Sequence, residues 1–349
     1  MAQRATMTDI ARELGLSRRT VSSVVNGKAA ERRISDATAQ RVLDYLNSQG
    51  FVPSRQAVSL RSGVRGSVGV LHSGYLYSHL VDAFNRIANT AGNDEAGVEI
   101  VIVPKNRIVD GFRELASRGS DRIVWIQSSD PDNEFKDADS LIPFFNRRTV
   151  AIYNYQFDNG GWDERLINAG AHLIGVDRSA AFRTLARFLK RLGHRVIAFP
   201  DAHPDRLPSV ISVKINQFKA LGLDVILTHP DREHFDSPDQ AAQAMAHSLI
   251  SARSTRRITA AVFHDDLTAG FAMAELARHG VDIPKDLTVI GFDGLAITKL
   301  MTPQLTSLSV PVSSMVDCVF EIFRRPSKER RHCFNIDLIK GGSHARSKQ

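Results

Sequence analysis

Short apolar runs alternate with helical stretches through residues 66–349 of the 349-residue chain, and this alternation limits the possible folds more than any other feature. A strand, a helix and a second strand in succession predict parallel sheets with helices on both faces. Ten strands are many for one small domain, so we expect two lobes with a cleft between them. The predicted strands are Ser67–His72, Val98–Val103, Ile123–Gln127, Thr149–Tyr153, His172–Val176, Arg195–Pro200, Asp224–Thr228, Ala260–His264, Leu287–Gly291 and Thr306–Val310.

The N-terminal segment has a different pattern, which predicts three short helices. Thr8 is positioned to cap the first helix, and Ser17 to cap the second, Arg18–Val25. A third helix begins at Ser35 and stops at Gly50. Two helices joined by a turn as short as the first one form a helix-turn-helix.

Positive charge is concentrated in this N-terminal head. Met1–Gly66 holds eleven basic and five acidic residues, a net charge of +6 out of +7 for the whole chain. A basic head on a near-neutral body is typical of a protein that binds a polyanion such as DNA. A solvated basic face that binds nothing fits the charge alone equally well.

The start of the second helix carries the residues that suit base reading. In a helix-turn-helix this end enters the major groove, which directs Arg18, Arg19 and Ser22 toward base edges. Arginine suits the N7 and O6 acceptors of guanine, whereas Ser17 and Thr20 are placed to meet phosphates. A three-helix bundle with an exposed basic helix is the alternative.

The head resembles the DNA-binding domain of the lactose-repressor (LacI/GalR) family of transcription regulators. The resemblance rests on MTDIARELGLSRRTVSSVVNG at 7–27, Ile34-Ser35, and GFVPSRQAVSLR at 50–61. It implies a hinge after the proline that becomes helical on operator DNA, with Leu60 wedged into the central minor-groove step and Arg61 beside it. A disordered linker is the alternative for this segment. The predicted DNA contacts are Thr8, Ser17, Arg18, Arg19, Thr20, Ser22, Asn26, Ser54, Leu60 and Arg61.

The body resembles the effector domain of the same family, which implies a periplasmic-binding-protein-like fold. The motifs are LGHRVIAF at 192–199, FHDDLTAG at 263–270, GVDIPKDLTVIGFD at 280–293 and TPQLTSL at 302–308. The expected domains are residues 1–52 for the helix-turn-helix, 53–65 for the hinge, and 66–349 for effector binding and dimerisation. The effector is expected to be a sugar, a sugar derivative or a nucleobase-like molecule.

Ligands in such folds bind where the carboxyl ends of the strands face the cleft. Three departures from the family pattern alter this site. Lys214 stands where the family often has arginine, His264 replaces the asparagine of an Asn-Asp pair, and Gly294 replaces a second aspartate. The predicted effector contacts are Tyr77, Ser128, Asp177, Lys214, Phe235, His264 and Asp293. As alternatives, Asp177 or Asp293 caps a helix or forms an internal ion pair, and Phe235 belongs to the core.

An α/β enzyme is the competing class. The sequence has no phosphate-binding loop, no nucleophile-elbow motif and no HExxH, and its only cysteines, Cys318 and Cys333, lack metal-ligand spacing. His194 precedes a strand whereas His264 ends one, so a metal cluster between them is not expected. We therefore predict a regulator with no catalytic residue, metal or cofactor. It is expected to bind double-stranded operator DNA as a homodimer in the cytoplasm, on the nucleoid, without membrane contact.

Overall fold

A computed structural model describes most of the chain in two compact units, Met1–Gly66 and Ser67–Gln349. The described residues are 7–25, 28–48, 67–73, 78–94, 96–127, 138–145, 148–155, 157, 162–201, 210–230, 235, 237–325 and 327–347.

The described residues of the head form three helices, α1 Met7–Glu13, α2 Arg18–Val25 and α3 Asp36–Ser48. Their apolar sides meet in one core, as the helical spacing predicted. Its buried members are Ile10, Ala11, Val21, Val24, Val42 and Leu46. The predicted cap at Thr8 is wrong, because α1 begins one residue earlier and Thr8 lies in its first turn.

Within its described residues the body contains two six-stranded sheets, and all ten predicted strands are present. In sequence order the strands are β1 Val68–Ser73, β2 Val98–Val103, β3 Arg122–Ile126, β4 Thr149–Tyr155, β5 His172–Val176, β6 Val196–Pro200, β7 Asp224–Thr228, β8 Ala260–Val262, β9 Thr288–Asp293, β10 Thr306–Ser309, β11 Arg331–Phe334 and β12 Asp337–Ile339. The first sheet has the order β11-β5-β4-β3-β1-β2, and the second has the order β12-β10-β9-β8-β6-β7. Every pairing is parallel except the one between β10 and β12.

Helices cover the sheets and form the connections between strands. They are α4 Ser78–Asn93, α5 Ile108–Ser117, α6 Ala138–Phe145, α7 Trp162–Asn168, α8 Arg178–Arg191, α9 Val210–Lys219, α10 Pro238–Thr255, α11 Asp266–Arg278 and α12 Val312–Arg324, with short 3-10 turns at Lys105–Arg107 and Ala296–Lys299. None of the helices in the described part of the chain combines the length and apolar character that crossing a bilayer requires.

The chain passes between the two sheets three times, after β5, after β10 and between β11 and β12. Each sheet with its helices is a lobe, and the lobe containing β1–β5 and β11 is called the first lobe below. The predicted two-lobed α/β fold is therefore confirmed. A single hydrophobic core runs through the crossing helices α8 and α12 and reaches strands of both lobes.

Strands β11 and β12 were missed by the sequence analysis. They are short edge strands, and the β11 sequence Arg331-His-Cys-Phe334 has charged and polar residues in place of a continuous apolar run. Beyond β12, the buried Ser343 hydroxyl donates to the Val289 carbonyl (2.6 Å) and accepts from the Thr306 N–H (2.8 Å). The C-terminal segment is thus bonded to two central strands of the second lobe.

Candidate functional site

The exposed face of α2 is the candidate DNA-reading surface of the head. Val21 and Val24 are buried in the head core. Arg18 and Arg19 are exposed on the other side of the helix, and Ser22, one turn after Arg18, is half-buried. This face offers two guanidinium groups and one hydroxyl at the start of the helix.

Ser17 and Thr20 form the N-terminal cap of α2. The Ser17 hydroxyl oxygen accepts from the Thr20 N–H (3.0 Å) and lies 2.8 Å from the Thr20 hydroxyl. If one hydroxyl donates to the other, one hydroxyl hydrogen of the pair remains for an outside acceptor. A helix N-terminus also carries partial positive charge, so the cap suits an anion.

The structure says less about the remaining predicted DNA contacts. Thr8 is exposed on α1. Asn26, Ser54, Leu60 and Arg61 lie outside the described residues.

Some of the head's arginines also serve its fold. The Arg41 guanidinium donates to the Leu14 carbonyl oxygen, which joins α3 to the end of α1. Arg12 lies 2.9 Å from Asp9 in an exposed ion pair. The net charge of the head therefore overstates the number of basic side chains that make no contact within the head.

The cleft of the body lies at the carboxyl ends of the parallel strands, where polar residues of both lobes meet. Asp293 is the last residue of β9 and is almost fully buried. Its Oδ1 lies 3.0 Å from His79 Nδ1 on α4, so a carboxylate of the second lobe contacts an imidazole of the first. Its Oδ2 is buried without a hydrogen-bond partner in the described part of the chain. Gly291 and Phe292 precede Asp293 in the same strand.

The Asp293 backbone is strained as well. Its φ of 107° lies in a region that side chains rarely adopt, which costs on the order of 1–3 kcal/mol. The following Gly294 has a φ of 73° and passes so close to Ser309 that an added Cβ would lie 2.2 Å from its hydroxyl oxygen. The glycine found in place of the family aspartate is therefore required by this tight turn.

Lys214, on α9, reaches the same region. Its Nζ lies 5.1 Å from the centre of the Phe182 ring and 5.9 Å from that of Phe292. Burial, reinforced by the charge of Arg178, lowers the pKa of Lys214 to about 8, although nearby carboxylates, including Asp293, oppose the shift.

His264 follows β8 and is paired with its sequence neighbour. Its Nε2 lies 2.9 Å from Asp265 Oδ2. Burial disfavours the charged imidazole, but the Asp265 carboxylate outweighs this effect and raises the pKa of His264. Burial likewise opposes charge on Asp265, whose hydrogen bonds to His264 and Thr268 nevertheless lower its pKa to about 2. The structure therefore brings together Lys214, His264 and Asp293.

Two other predicted effector residues have structural explanations of their own. The Asp177 carboxylate accepts from the Ala180 N–H (2.7 Å) and caps α8, which is the alternative considered from the sequence. Phe235 lines a groove of about 1120 Å³ between β7 and α10. Lys214, His264 and Asp293 converge in the cleft and not at this groove. Tyr77 and Ser128 lie outside the described residues.

Four cleft residues were missed by the sequence analysis. Gln127 follows β3, and neither atom of its buried amide has a partner in the described part of the chain. Arg178 follows β5 and donates to Asn154 Oδ1 (2.9 Å) near the end of β4. Gln127, Asn154 and Arg178 all lie at strand ends. The expectation that ligands bind at strand ends, which selected Asp177, therefore also selects these three residues. His79 had no such signal because it lies near the start of a helix.

Asp266 is buried beneath the Asp293 turn and supports it. Its carboxylate accepts from the Ser307 hydroxyl (2.6 Å) and the Leu295 N–H (2.7 Å). Burial, together with the nearby charge of Asp293, raises the pKa of Asp266 to about 7 despite these hydrogen bonds. Gly291 makes room for it, since a Cβ there would lie 2.2 Å from Asp266 Oδ1.

The metal cluster considered from the sequence does not form. The His194 ring lies 2.9 Å from the Thr259 hydroxyl and 3.0 Å from the Ala345 carbonyl oxygen, before the start of β6. His264 lies beyond the end of β8, which is parallel to β6, so the two rings are at opposite edges of the sheet.

Comparison with known proteins identifies the family. Residues 6–54 match the bacterial regulatory proteins of the lacI family, and residues 186–330 match the periplasmic binding protein-like domain. The chain is also similar to the HTH-type transcriptional repressor PurR of Vibrio cholerae, with 24% identity over 94% of this chain and 93% of PurR. The chain belongs to the LacI family.

Solved structures of LacI-family proteins share the fold. The lac repressor dimer bound to operator and the anti-inducer ONPF has a TM-score of 0.71 at 17% identity, covering 98% of this chain and 100% of that one. A LacI family regulator from Arthrobacter in complex with lactose has a TM-score of 0.63 at 16% identity, covering 80% of this chain and 99% of that one. The protein is thus a LacI-family DNA-binding transcriptional regulator and not an enzyme.

The pKa of Asp266 predicts a specific pH dependence of stability. Because the folded-state pKa is raised from 3.8 to about 7, the protonated form stabilises the fold. That contribution is fully present below about pH 4 and is lost as the pH rises through about 7. As the pH is raised from about 4 to about 7, we therefore expect the thermal midpoint of the wild type to decrease relative to that of Asp266→Asn.

The measurement is a series of thermal unfolding curves across this pH range for both proteins. Asp282→Asn, which removes an exposed carboxylate paired with Lys285, is the control and should follow the wild type. A constant difference between wild type and Asp266→Asn at all pH values would contradict the assignment.

Proposed function

We propose that this protein is an effector-controlled repressor that binds a pseudo-palindromic operator as a homodimer. The observation that carries the proposal is the contact between Asp293 and His79, because it joins the two lobes at the strand ends that border the cleft. The proposed domains are 1–52 for DNA binding, 53–65 for the hinge and 66–349 for effector binding and dimerisation. The proposed place of action is the cytoplasm, on nucleoid DNA.

In the proposed DNA complex, α2 lies in the major groove. Arg18, Arg19 and Ser22 contact base edges there, because they share the exposed face at the start of the helix. Ser17 and Thr20 contact phosphates through the remaining hydroxyl hydrogen of the cap. Leu60 of each subunit enters the minor groove at the centre of the operator. The operator complex of the lac repressor dimer supports this arrangement by similarity of fold.

In the proposed effector complex, a polar small molecule bridges the lobes. Gln127 of the first lobe and Asp293 of the second offer buried atoms that have no partner in the described part of the chain, and an amide and a carboxylate suit hydroxyl or ring N–H groups. Lys214 supplies a single cationic donor near the Phe182 and Phe292 rings. A sugar, a sugar derivative or a nucleobase-like molecule meets these requirements, and the lactose complex of the Arthrobacter relative is consistent with the first class.

Control by the effector follows from the same contact. A ligand that hydrogen-bonds Asp293 competes with His79 or reinforces it, and so changes the relative free energies of the lobe arrangements. Coupling to DNA binding is then reciprocal, and its sign depends on which arrangement favours the operator. Induction and corepression are both compatible with this mechanism.

The proposed dimer uses an apolar surface of the first lobe. Ile100 and Ile102 are 50% and 60% exposed on β2, an edge strand, and Val81 on α4 is 41% exposed. The register with β1 places both isoleucines on the sheet face that α4 covers. Exposed apolar residues on an edge strand favour association, and a second copy is the partner that a two-fold symmetric operator requires.

Selection of bound sequences from a random duplex library, at two salt concentrations, tests the operator proposal. We expect the full-length protein to recover a pseudo-palindrome. Arg19→Ala should weaken binding to that sequence by about 1–3 kcal/mol and relax the preference at one base pair. The control is Arg12→Ala, which removes the same charge from an exposed side chain on α1. Equal losses by Arg19→Ala on selected and random DNA would exclude base reading.

A ligand screen tests the cleft. The probes are glucose, ribose, lactose, adenine, guanine and hypoxanthine, and the readout is the shift in thermal midpoint followed by calorimetry. For a compound that stabilises the wild type, Asp293→Asn should reduce affinity at least tenfold, because a buried carboxylate contact is lost. Asp282→Asn, on the surface, should bind as the wild type does. Unchanged affinity in Asp293→Asn would remove this residue from the site.

Sedimentation velocity tests the dimer surface. Ile102→Asp should raise the dimer dissociation constant at least tenfold, because it places a charge in an apolar contact. Ile339→Asp is the matched control, since Ile339 is 49% exposed on β12 at the edge of the other sheet. A wild type that is monomeric at operator-binding concentrations, or an Ile102→Asp variant that dimerises normally, would contradict the proposal.

A further inference from the structure

Outside the cleft, two helices of the second lobe bring three metal-ligating side chains together. Glu275 lies in the last turn of α11, and His279 follows four residues later at the end of that helix. His247 extends from the neighbouring helix α10. The candidate ligand atoms of the three residues all lie within 4.8 Å of one another.

The spacing of the donor atoms is close to that of a tetrahedral site. Glu275 Oε1 lies 3.0 Å from His247 Nε2 and 3.5 Å from His279 Nδ1. A tetrahedral ion with ligand bonds of about 2.0–2.1 Å holds its ligand atoms about 3.3–3.4 Å apart. Small side-chain movements therefore suffice to place one ion between the three atoms.

The carboxylate of this cluster is buried, whereas its two imidazoles are exposed to solvent. The Glu275 side chain is 10% exposed, whereas those of His247 and His279 are 55% and 45% exposed. Arg278 holds the other carboxylate oxygen, Oε2, at 2.6 Å, which leaves Oε1 directed at the two imidazoles. The ion would sit at the surface, with its remaining coordination positions open to water.

The neighbouring basic side chains favour the ionised form of the Glu275 carboxylate, which is the form that binds a metal ion. The hydrogen bond from Arg278, followed by that from His247, lowers the pKa of Glu275, so this ligand is ionised at neutral pH. The His279 Nδ1 lies 3.0 Å from the Glu275 carbonyl oxygen, so this nitrogen binds an ion only after it gives up its proton and its contact with that oxygen.

We propose that His247, Glu275 and His279 bind a divalent transition-metal ion such as Zn²⁺, which links α10 to α11. Two imidazoles and one carboxylate with an open position are a donor set that this class of ion accepts. The site is separate from the proposed effector and DNA contacts. It departs from the sequence expectation of no metal, because the first ligand lies 28 residues before the Glu-x-x-x-His pair and becomes visible only when the helices pack.

A set of hydrogen-bonded ion pairs is the competing explanation, and the same lobe supplies a control for it. The pair of His264 and Asp265 has one imidazole 2.9 Å from one carboxylate oxygen. It lacks the second imidazole that completes the cluster around Glu275. Loss of His264 should therefore leave metal affinity unchanged if the ion binds at the proposed site.

The test is calorimetric titration of untagged, chelator-treated full-length protein with Zn²⁺, repeated with Co²⁺ to read the coordination geometry from its visible absorption. We expect one ion per chain and a tetrahedral Co²⁺ spectrum. His247→Asn, Glu275→Gln and His279→Asn should each weaken Zn²⁺ binding at least tenfold, whereas His264→Asn should bind as the wild type does.

His247→Asn and His279→Asn alter exposed side chains, so they keep the test valid if Glu275→Gln fails to fold. The proposal is overturned if Zn²⁺ shows no saturable binding. It is equally overturned if both histidine variants retain wild-type affinity, or if His264→Asn loses as much affinity as they do.

Discussion

A parallel sheet forms only if every connection returns the chain to the same edge before the next strand begins, and this constraint organises the body of the protein. It places helices on both faces and collects the carboxyl ends of the strands at one edge. The three passages between the sheets hold those edges together, with Arg178 at the start of the first passage. Asp293 ends a central strand of the other sheet. The cleft is thus a consequence of strand direction, and its chemistry depends on which residues follow each strand.

The stability of the fold alone does not explain the residues that line the cleft. Lys214 is held beside the Phe182 and Phe292 rings at a cost that its lowered pKa reports, and Asp293 combines a strained φ with a buried carboxylate oxygen that lacks a partner in the described structure. Charges buried in this way seldom stabilise a fold more than well-packed apolar residues of similar size. In the proposed effector complex, hydrogen bonds from a polar ligand replace those that these groups gave up on leaving water.

The sequence predicted the strand positions well because buried parallel strands require continuous apolar runs, and all ten runs before residue 311 became strands. It failed for β11 and β12, whose short edge positions do not need such runs. Its predictions Lys214, His264 and Asp293 lie together in the cleft, but it missed His79 because no local pattern shows which helix faces a strand end in the other lobe. An aspartate that follows a strand can either cap the next helix or contact an effector. The sequence alone therefore could not decide between these two roles for Asp177.

The order of pairing in the sheets also determines when each lobe can be completed during synthesis. The first sheet takes β11 as its edge, and the second takes β12 together with the bonds from Ser343 to Val289 and Thr306. Neither lobe can close its sheet until the ribosome has added residues beyond 330, whereas the three helices of the head need only contacts within the first 48. Synthesis therefore supplies every contact of the head core well before it supplies β11 and β12, and both sheets remain incomplete until those two edge strands have been made.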